Sequence, residues 1–124
     1  MGSEQATRVR RVADGVREEL ASLIAQEVRD PGAVGAIVTR VEMTSDLRGA
    51  RVHVRLLEGG DVEARRRTVV EALGRASGML RRELTRRLSL RFAPELRFHY
   101  DEGLDKTTRI EELLVEIERE RRPR

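Results

Sequence analysis

Residues that could do catalytic chemistry are scarce in these 124 residues. There is no cysteine, and the two histidines, His53 and His99, each alternate with arginines in separate segments. Two histidines without cysteine make no zinc pattern, and a histidine in such alternation reads as a strand-surface residue rather than a proton shuttle. Gly59-Gly60 is not followed by the Lys-Ser/Thr of a phosphate-binding loop. Glu111, Glu112, Glu116, Glu118 and Glu120 alternate with arginines and apolar residues, as a solvated helix face does. We therefore expect no catalysis, no metal and no cofactor.

The chain does carry guanidinium groups in quantity. Lys106 is its only lysine, and between Glu63 and Arg91 nine arginines stand against three glutamates, a net +6 where the whole chain is only +3. A planar guanidinium fork matches phosphate in a bidentate way. Compositional bias can produce arginine in place of lysine, but it does not place the charge in one stretch.

That stretch reads as a long helix with a break. Val69, Leu73, Ala76, Leu80, Leu84 and Leu88 recur at three- and four-residue spacing, one helical face. At its midpoint Ala76-Ser77-Gly78 predicts a kink, because Gly weakens a helix and Ser can bond back to the preceding turn. Arg75, Arg82 and Arg86 fall opposite the apolar face, with Arg81 at its flank. Such a corner, ringed by arginines, suits phosphates. Two readings stand: Ser77 and the backbone at Gly78 approach an RNA closely, or Gly78 permits tight helix–sheet packing and the arginines are simply solvated.

The other elements follow in order. Residues 1–6 read as a flexible N-terminus. A helix from about Thr7 to Arg29 buries Val9, Val12, Val16, Leu20, Leu23, Ile24 and Val28, and Asp30-Pro31-Gly32 ends it. Arg8, Arg10 and Arg11 crowd its first turns against the helix dipole, which fits either an external anion or a solvated, frayed end. Ala36–Thr44 alternates as a strand, with Ile37, Thr39, Val41 and Met43 on one face. A hairpin loop at 45–49 leads to a second strand, Ala50–Leu57, with Val52, Val54 and Leu56 inward and Arg51, His53 and Arg55 outward. Asp61 is the expected N-cap of the long helix. Leu96, Phe98 and Tyr100 mark a third strand that starts after Pro94 or lies at an edge. Thr108 and Glu111 offer a capping box before a last helix carrying Ile110, Leu113, Leu114 and Ile117. The result is a two-layer α+β domain over 7–101 with an extension at 102–124, part helical and frayed at its end. The extension, with eight acidic and six basic residues from 101 to 124, reads first as a cap on the core.

Phe92, Phe98 and Tyr100 are the only aromatic residues. Phe98 and Tyr100 fall on the apolar side of their strand. That favours recognition of RNA shape and backbone over base stacking, with an affinity that falls with salt. No apolar run approaches a membrane span, no signal-peptide core precedes the first helix, and Ala6 stands where a myristoylation site wants Ser or Thr. With no cysteine, a reducing compartment fits, and we expect a cytoplasmic location without membrane contact.

The ordered set of motifs resembles the bacterial ribosome-binding factor A family. It comprises Arg10-Arg11-Val12-Ala13, Arg29-Asp30-Pro31, Val41-Glu42-Met43-Thr44-Ser45-Asp46-Leu47, Ala76-Ser77-Gly78 and Pro94-Glu95-Leu96-Arg97-Phe98-His99-Tyr100-Asp101. The resemblance spans about Arg8 to Tyr100. It implies a KH-like type II fold in which an Ala-x-Gly kink replaces the Gly-x-x-Gly loop. It also implies a non-catalytic assembly factor that binds the small (30S) ribosomal subunit and 16S rRNA in late maturation and acts in cold shock. On this reading Arg75, Ala76, Ser77, Gly78, Arg81, Arg82 and Arg86 contact RNA, with Arg8, Arg10 and Arg11 secondary, and the protein is a monomer. The alternative from another class is a protein–protein adaptor whose arginine face meets an acidic partner.

Overall fold

The apolar stripe of the first helix sets where the two layers meet. Helix α1 (Gly2–Gln26) buries Val16, Leu20, Leu23 and Ile24 and lies against β1 (Ala36–Met43) and α3 (Ser77–Leu88). The computed structural model describes residues 2–103, 114, 117 and 118. The helix starts at Gly2 rather than Thr7, so residues 2–6 are helical and not the unstructured lead expected. Glu4 in the first turn suits the positive end of the helix dipole, and the Thr7 hydroxyl donates back to the Ser3 carbonyl at 2.8 Å.

Asp30 and Pro31 then turn the chain. The Asp30 carboxylate accepts the Gly32 N–H at 2.9 Å and caps a 3-10 turn, Pro31–Ala33. This turn docks on α2 (Glu63–Arg75) so closely that a Cβ at Gly32 would lie 3.1 Å from both Ala72 Cβ and Thr68 Cγ2. Here the glycine serves close packing, because its neighbours would have to give way to a Cβ.

Strand β1 pairs antiparallel with β2 (Gly49–Leu56) through the expected hairpin, and β2 pairs in parallel with β3 (Glu95–Tyr100), in the order β1-β2-β3. A parallel pair needs a crossover, and the helices α2 and α3 supply it. Strand β3 begins directly after Pro94 and is an edge, as proline there demands. In β1 the register shifts between Val38 and Arg40, a bulge that interrupts the alternation. Val38, Val41 and Met43 therefore pack on the core, while Ile37 is 39% exposed, so the expected common face of Ile37, Thr39, Val41 and Met43 is split at the bulge. The bulged Thr39 donates its hydroxyl to Asp101 at 2.6 Å, which, with the Gly103 N–H, holds that carboxyl below its usual range.

The core joins the inward residues of β2 and β3, Ala50, Val52, Val54, Leu56, Leu96 and Phe98, to the α1 stripe and to Val69, Ala72, Leu73, Leu80 and Leu84. Two local expectations fail. Asp61 does not cap α2; Val62 occupies the N-cap, without a side-chain bond. His53 is not a surface residue. It sits in the central strand, between Arg40 of β1 and His99 of β3 in register, and is only 8% exposed. Its Nε2 lies 2.7 Å from Glu42, which lowers that carboxylate's pKa. Of the expected C-terminal helix, Leu114 and Ile117 are helical and exposed; the Thr108–Glu111 capping box lies outside the described residues.

Candidate nucleic-acid interface

The helix breaks where the sequence indicates. Ala76, with φ −83° and ψ −4°, closes α2 and opens α3. Its N–H points at the Ala72 and Leu73 carbonyls (3.2 and 3.1 Å), while its carbonyl accepts the Leu80 N–H at 3.0 Å. The apolar stripe runs through the corner unbroken, since Leu73, Leu80 and Leu84 are fully buried. An alanine has no side-chain oxygen, so no side chain caps the first N–H groups of α3. Among the described residues Ser77 makes no side-chain hydrogen bond, so the bend comes from the Ala76 backbone and not from back-bonding by Ser77.

Gly78 does not serve tight helix–sheet packing. A Cβ built there meets nothing within 4 Å, and its φ is not positive. Neither tight packing nor a left-handed backbone calls for glycine at this position. The same holds at Gly74, one turn earlier, where a Cβ also meets nothing within 4 Å. Gly74 approaches the corner from α2 and Gly78 from α3, and both are exposed, so a strip of backbone is bare on each side of the corner. Each costs about 1 kcal/mol of helix stability relative to alanine. The spacing of Gly74 and Gly78 is visible in the sequence; that both positions are open is not.

The arginines around the strip differ in what they do. Arg75 reaches Asp30 Oδ2 with Nε at 2.9 Å and Nη2 at 2.8 Å, tying the corner to the 3-10 turn. The Gly32 N–H and then Arg75 hold the Asp30 pKa below its ordinary value. Arg81 turns inward to the carbonyls of Pro94 and Ala93, at 3.0 and 3.1 Å, and anchors the loop before β3. Arg82 is exposed and has no ion-pair partner among the described residues. Arg86 lies one turn on, its side chain 70% exposed, paired with Glu83 at 2.7 Å. That pairing lowers the Glu83 pKa.

Arg8, Arg10 and Arg11 are not part of this cluster. Arg8 lines a groove with Leu88–Phe92, and Arg10 a hollow beside Val41–Met43. The Arg8 groove adjoins the C-terminal end of α3, and a helix of 12 residues puts it about 18 Å of helix axis from the corner. All three are exposed, in the second and third turns of α1 and not at its frayed start.

A helical corner that joins two parallel strands, over a three-stranded sheet, defines a two-layer α+β protein consistent with a type II KH-like arrangement. The crystal structure of ribosome-binding factor A from Thermus thermophilus shares this fold, with a TM-score of 0.65 at 24% identity over 77% of this chain and 97% of that one. A solution structure from Thermotoga maritima, described as a putative ribosome binding factor A, is 33% identical, with a TM-score of 0.58, over 79% of this chain and 87% of that one. Among curated proteins, ribosome-binding factor A of Sorangium cellulosum is 50% identical over 110 residues, covering 89% of this chain and 88% of its own. The counterpart in Geobacter sulfurreducens is 40% identical over 114 residues, 92% and 94% of the two chains. The family model for ribosome-binding factor A matches residues 8–114. The chain belongs to the ribosome-binding factor A family.

Proposed function

We propose that this protein is a non-catalytic ribosome assembly factor. It binds the small (30S) subunit through 16S rRNA during late maturation, in the cytoplasm, and its helix corner is the contact. One observation carries the assignment of the corner: the bare backbone at Gly74 and Gly78 has no packing or conformational reason within the chain. An approaching phosphate backbone supplies one, because glycine admits a partner to the helix itself. The partner is supported by a relative. A homology model of ribosome-binding factor A of Thermus thermophilus has been fitted into the cryo-EM map of its complex with 30S, and this chain is 27% identical to that protein, with a TM-score of 0.58 over 73% of this chain and 91% of that one.

Within the corner, Arg82 and Arg86 meet phosphates, while Ala76, Ser77 and Gly78 present the surface. Arg75 and Arg81 serve the contact by fixing the corner to Asp30 and to the loop before β3. The protein acts by occupancy: it holds one conformation of the immature rRNA and leaves when that site is rearranged.

The test is co-sedimentation with separated small subunits, large subunits and intact ribosomes across a salt series. Binding confined to small subunits, lost as salt rises and abolished by Arg82→Glu with Arg86→Glu, is the expected result. Unchanged binding by the folded double variant would remove the corner from the interface. Failure of free 16S rRNA to compete for the target would favour an adaptor for an acidic protein.

A further inference from the structure

At the other end of α3, three segments enclose a groove of about 750 Å³, formed by the first half of α1, the hairpin at Ser45–Leu47 and the loop Leu88–Phe92. Phe92 sits at its wall and is 39% exposed. The Arg48 guanidinium lies over the Phe92 ring, 4.1 Å from the centroid, and that of Arg91 lies 5.5 Å away. Arg8 lines the same groove. Neither Arg8 nor Arg91 has an ion-pair partner among the described residues.

The backbone fixes this arrangement. Ser89 adopts a left-handed conformation (φ 50°, ψ 46°), and the Leu90 N–H closes onto the Thr85 carbonyl at 3.0 Å, turning the chain sharply off the helix. On the hairpin side, Asp46 accepts the Arg48 N–H at 3.1 Å and the Arg48 carbonyl accepts the Glu95 N–H at 2.8 Å. An arginine is thus held over an aromatic ring at the surface, beside further guanidinium groups.

We propose that this groove and its rim bind a single-stranded RNA segment, one base stacking at the rim on Arg48 where it covers Phe92, and neighbouring phosphates meeting Arg8 and Arg91 in the groove. The inference rests on the RNA-binding reading and extends it to a second site of different chemistry. A stacked guanidinium offers its outer planar face to a base, which a paired base inside a duplex cannot use. Glu4 and Asp46 also line the groove; they oppose a continuous acidic peptide and leave room for single phosphates next to Arg8 and Arg91.

The test is a titration of the isotope-labelled full chain with a short oligoadenylate, a blunt RNA duplex and an oligoglutamate, followed by backbone amide NMR. Oligoadenylate should shift the signals of Leu47, Arg48 and Ser89–Phe92, and the duplex should not. Arg48→Ala and Phe92→Ala should each weaken oligoadenylate binding by roughly fivefold or more. Phe92→Leu keeps the apolar contact without the ring and should lose the same affinity with the fold intact. Shifts confined to Arg75–Arg82, with the Phe92 variants binding as wild type, would overturn the groove and leave the corner standing. No shift at Leu47–Arg48 or Ser89–Phe92 with oligoadenylate would overturn the groove, while the corner stands or falls by co-sedimentation with small subunits. A groove that responds to oligoglutamate and not to oligoadenylate would belong to an acidic protein.

Discussion

The two ends of α3 are both rich in arginine and use it in opposite ways. At the corner, Arg75 is engaged by Asp30 and Arg81 by the carbonyls of Ala93 and Pro94. The feature left bare there is backbone, at Gly74 and Gly78. At the far end, the backbone is closed by the turn at Ser89, and the feature presented is a guanidinium over a ring, Arg48 on Phe92. A count of positive charge along the chain therefore does not measure the charge available to a partner. Availability depends on which carbonyls and carboxylates the fold brings within reach, and this differs over the length of one helix.

The contrast can be removed altogether by loosening what both ends share. Leu80 is fully buried in α3, and Leu80→Ala should cost about 2–5 kcal/mol, read from a urea unfolding curve. Both ends should fail together; subunit binding retained at full strength in a largely unfolded sample would show that the helix does not carry the interface. Gly78→Ala separates the ends. With open space at the new Cβ, it should stabilise the protein by about 1 kcal/mol while weakening small-subunit binding and sparing the Phe92 groove. A more stable variant with undiminished subunit binding would mean that nothing approaches the corner backbone. Gly74→Ala should behave alike.

Ser89→Gly acts on the far end alone. A left-handed φ of 50° disfavours a residue with a Cβ. Relief of that strain, less the extra freedom glycine gives the unfolded chain, should raise stability by roughly 0.5–1 kcal/mol; a lower melting temperature would contradict it. The smallest effect is acid sensitivity at the corner. The folded Asp30 pKa is depressed, by the Gly32 N–H first and Arg75 next. A depressed carboxylate contributes stability that is present above its unfolded pKa, about 3.9, and is lost as pH falls through the lower folded value. Asp30→Asn should thus flatten part of the drop in melting temperature below about pH 4 and leave the slope near neutrality unchanged. An identical acid limb in the variant would exclude this tie.

Much of the molecule was determined by local pattern. The helical stripes of Val16, Leu20 and Leu23 and of Leu73, Leu80 and Leu84, the turn at Asp30-Pro31, the break at Ala76 and the start of β3 after Pro94 all lie where spacing, proline and glycine put them. These are consequences of a 3.6-residue period and of backbone sterics, which act within a few residues. Other features had to wait for the tertiary structure. The bulge at Thr39 depends on a pairing register, the burial of His53 on strands at both sides, and the engagement of Arg75 and Arg81 on acceptors 45 and 13 residues away. Phe92 becomes a platform only because the hairpin delivers Arg48 from 44 residues upstream in the sequence. Gly32 and Gly78 show the same division within one residue type. The fold makes the first a tight contact and leaves the second open, because what a missing Cβ achieves depends on what the rest of the chain has placed beside it.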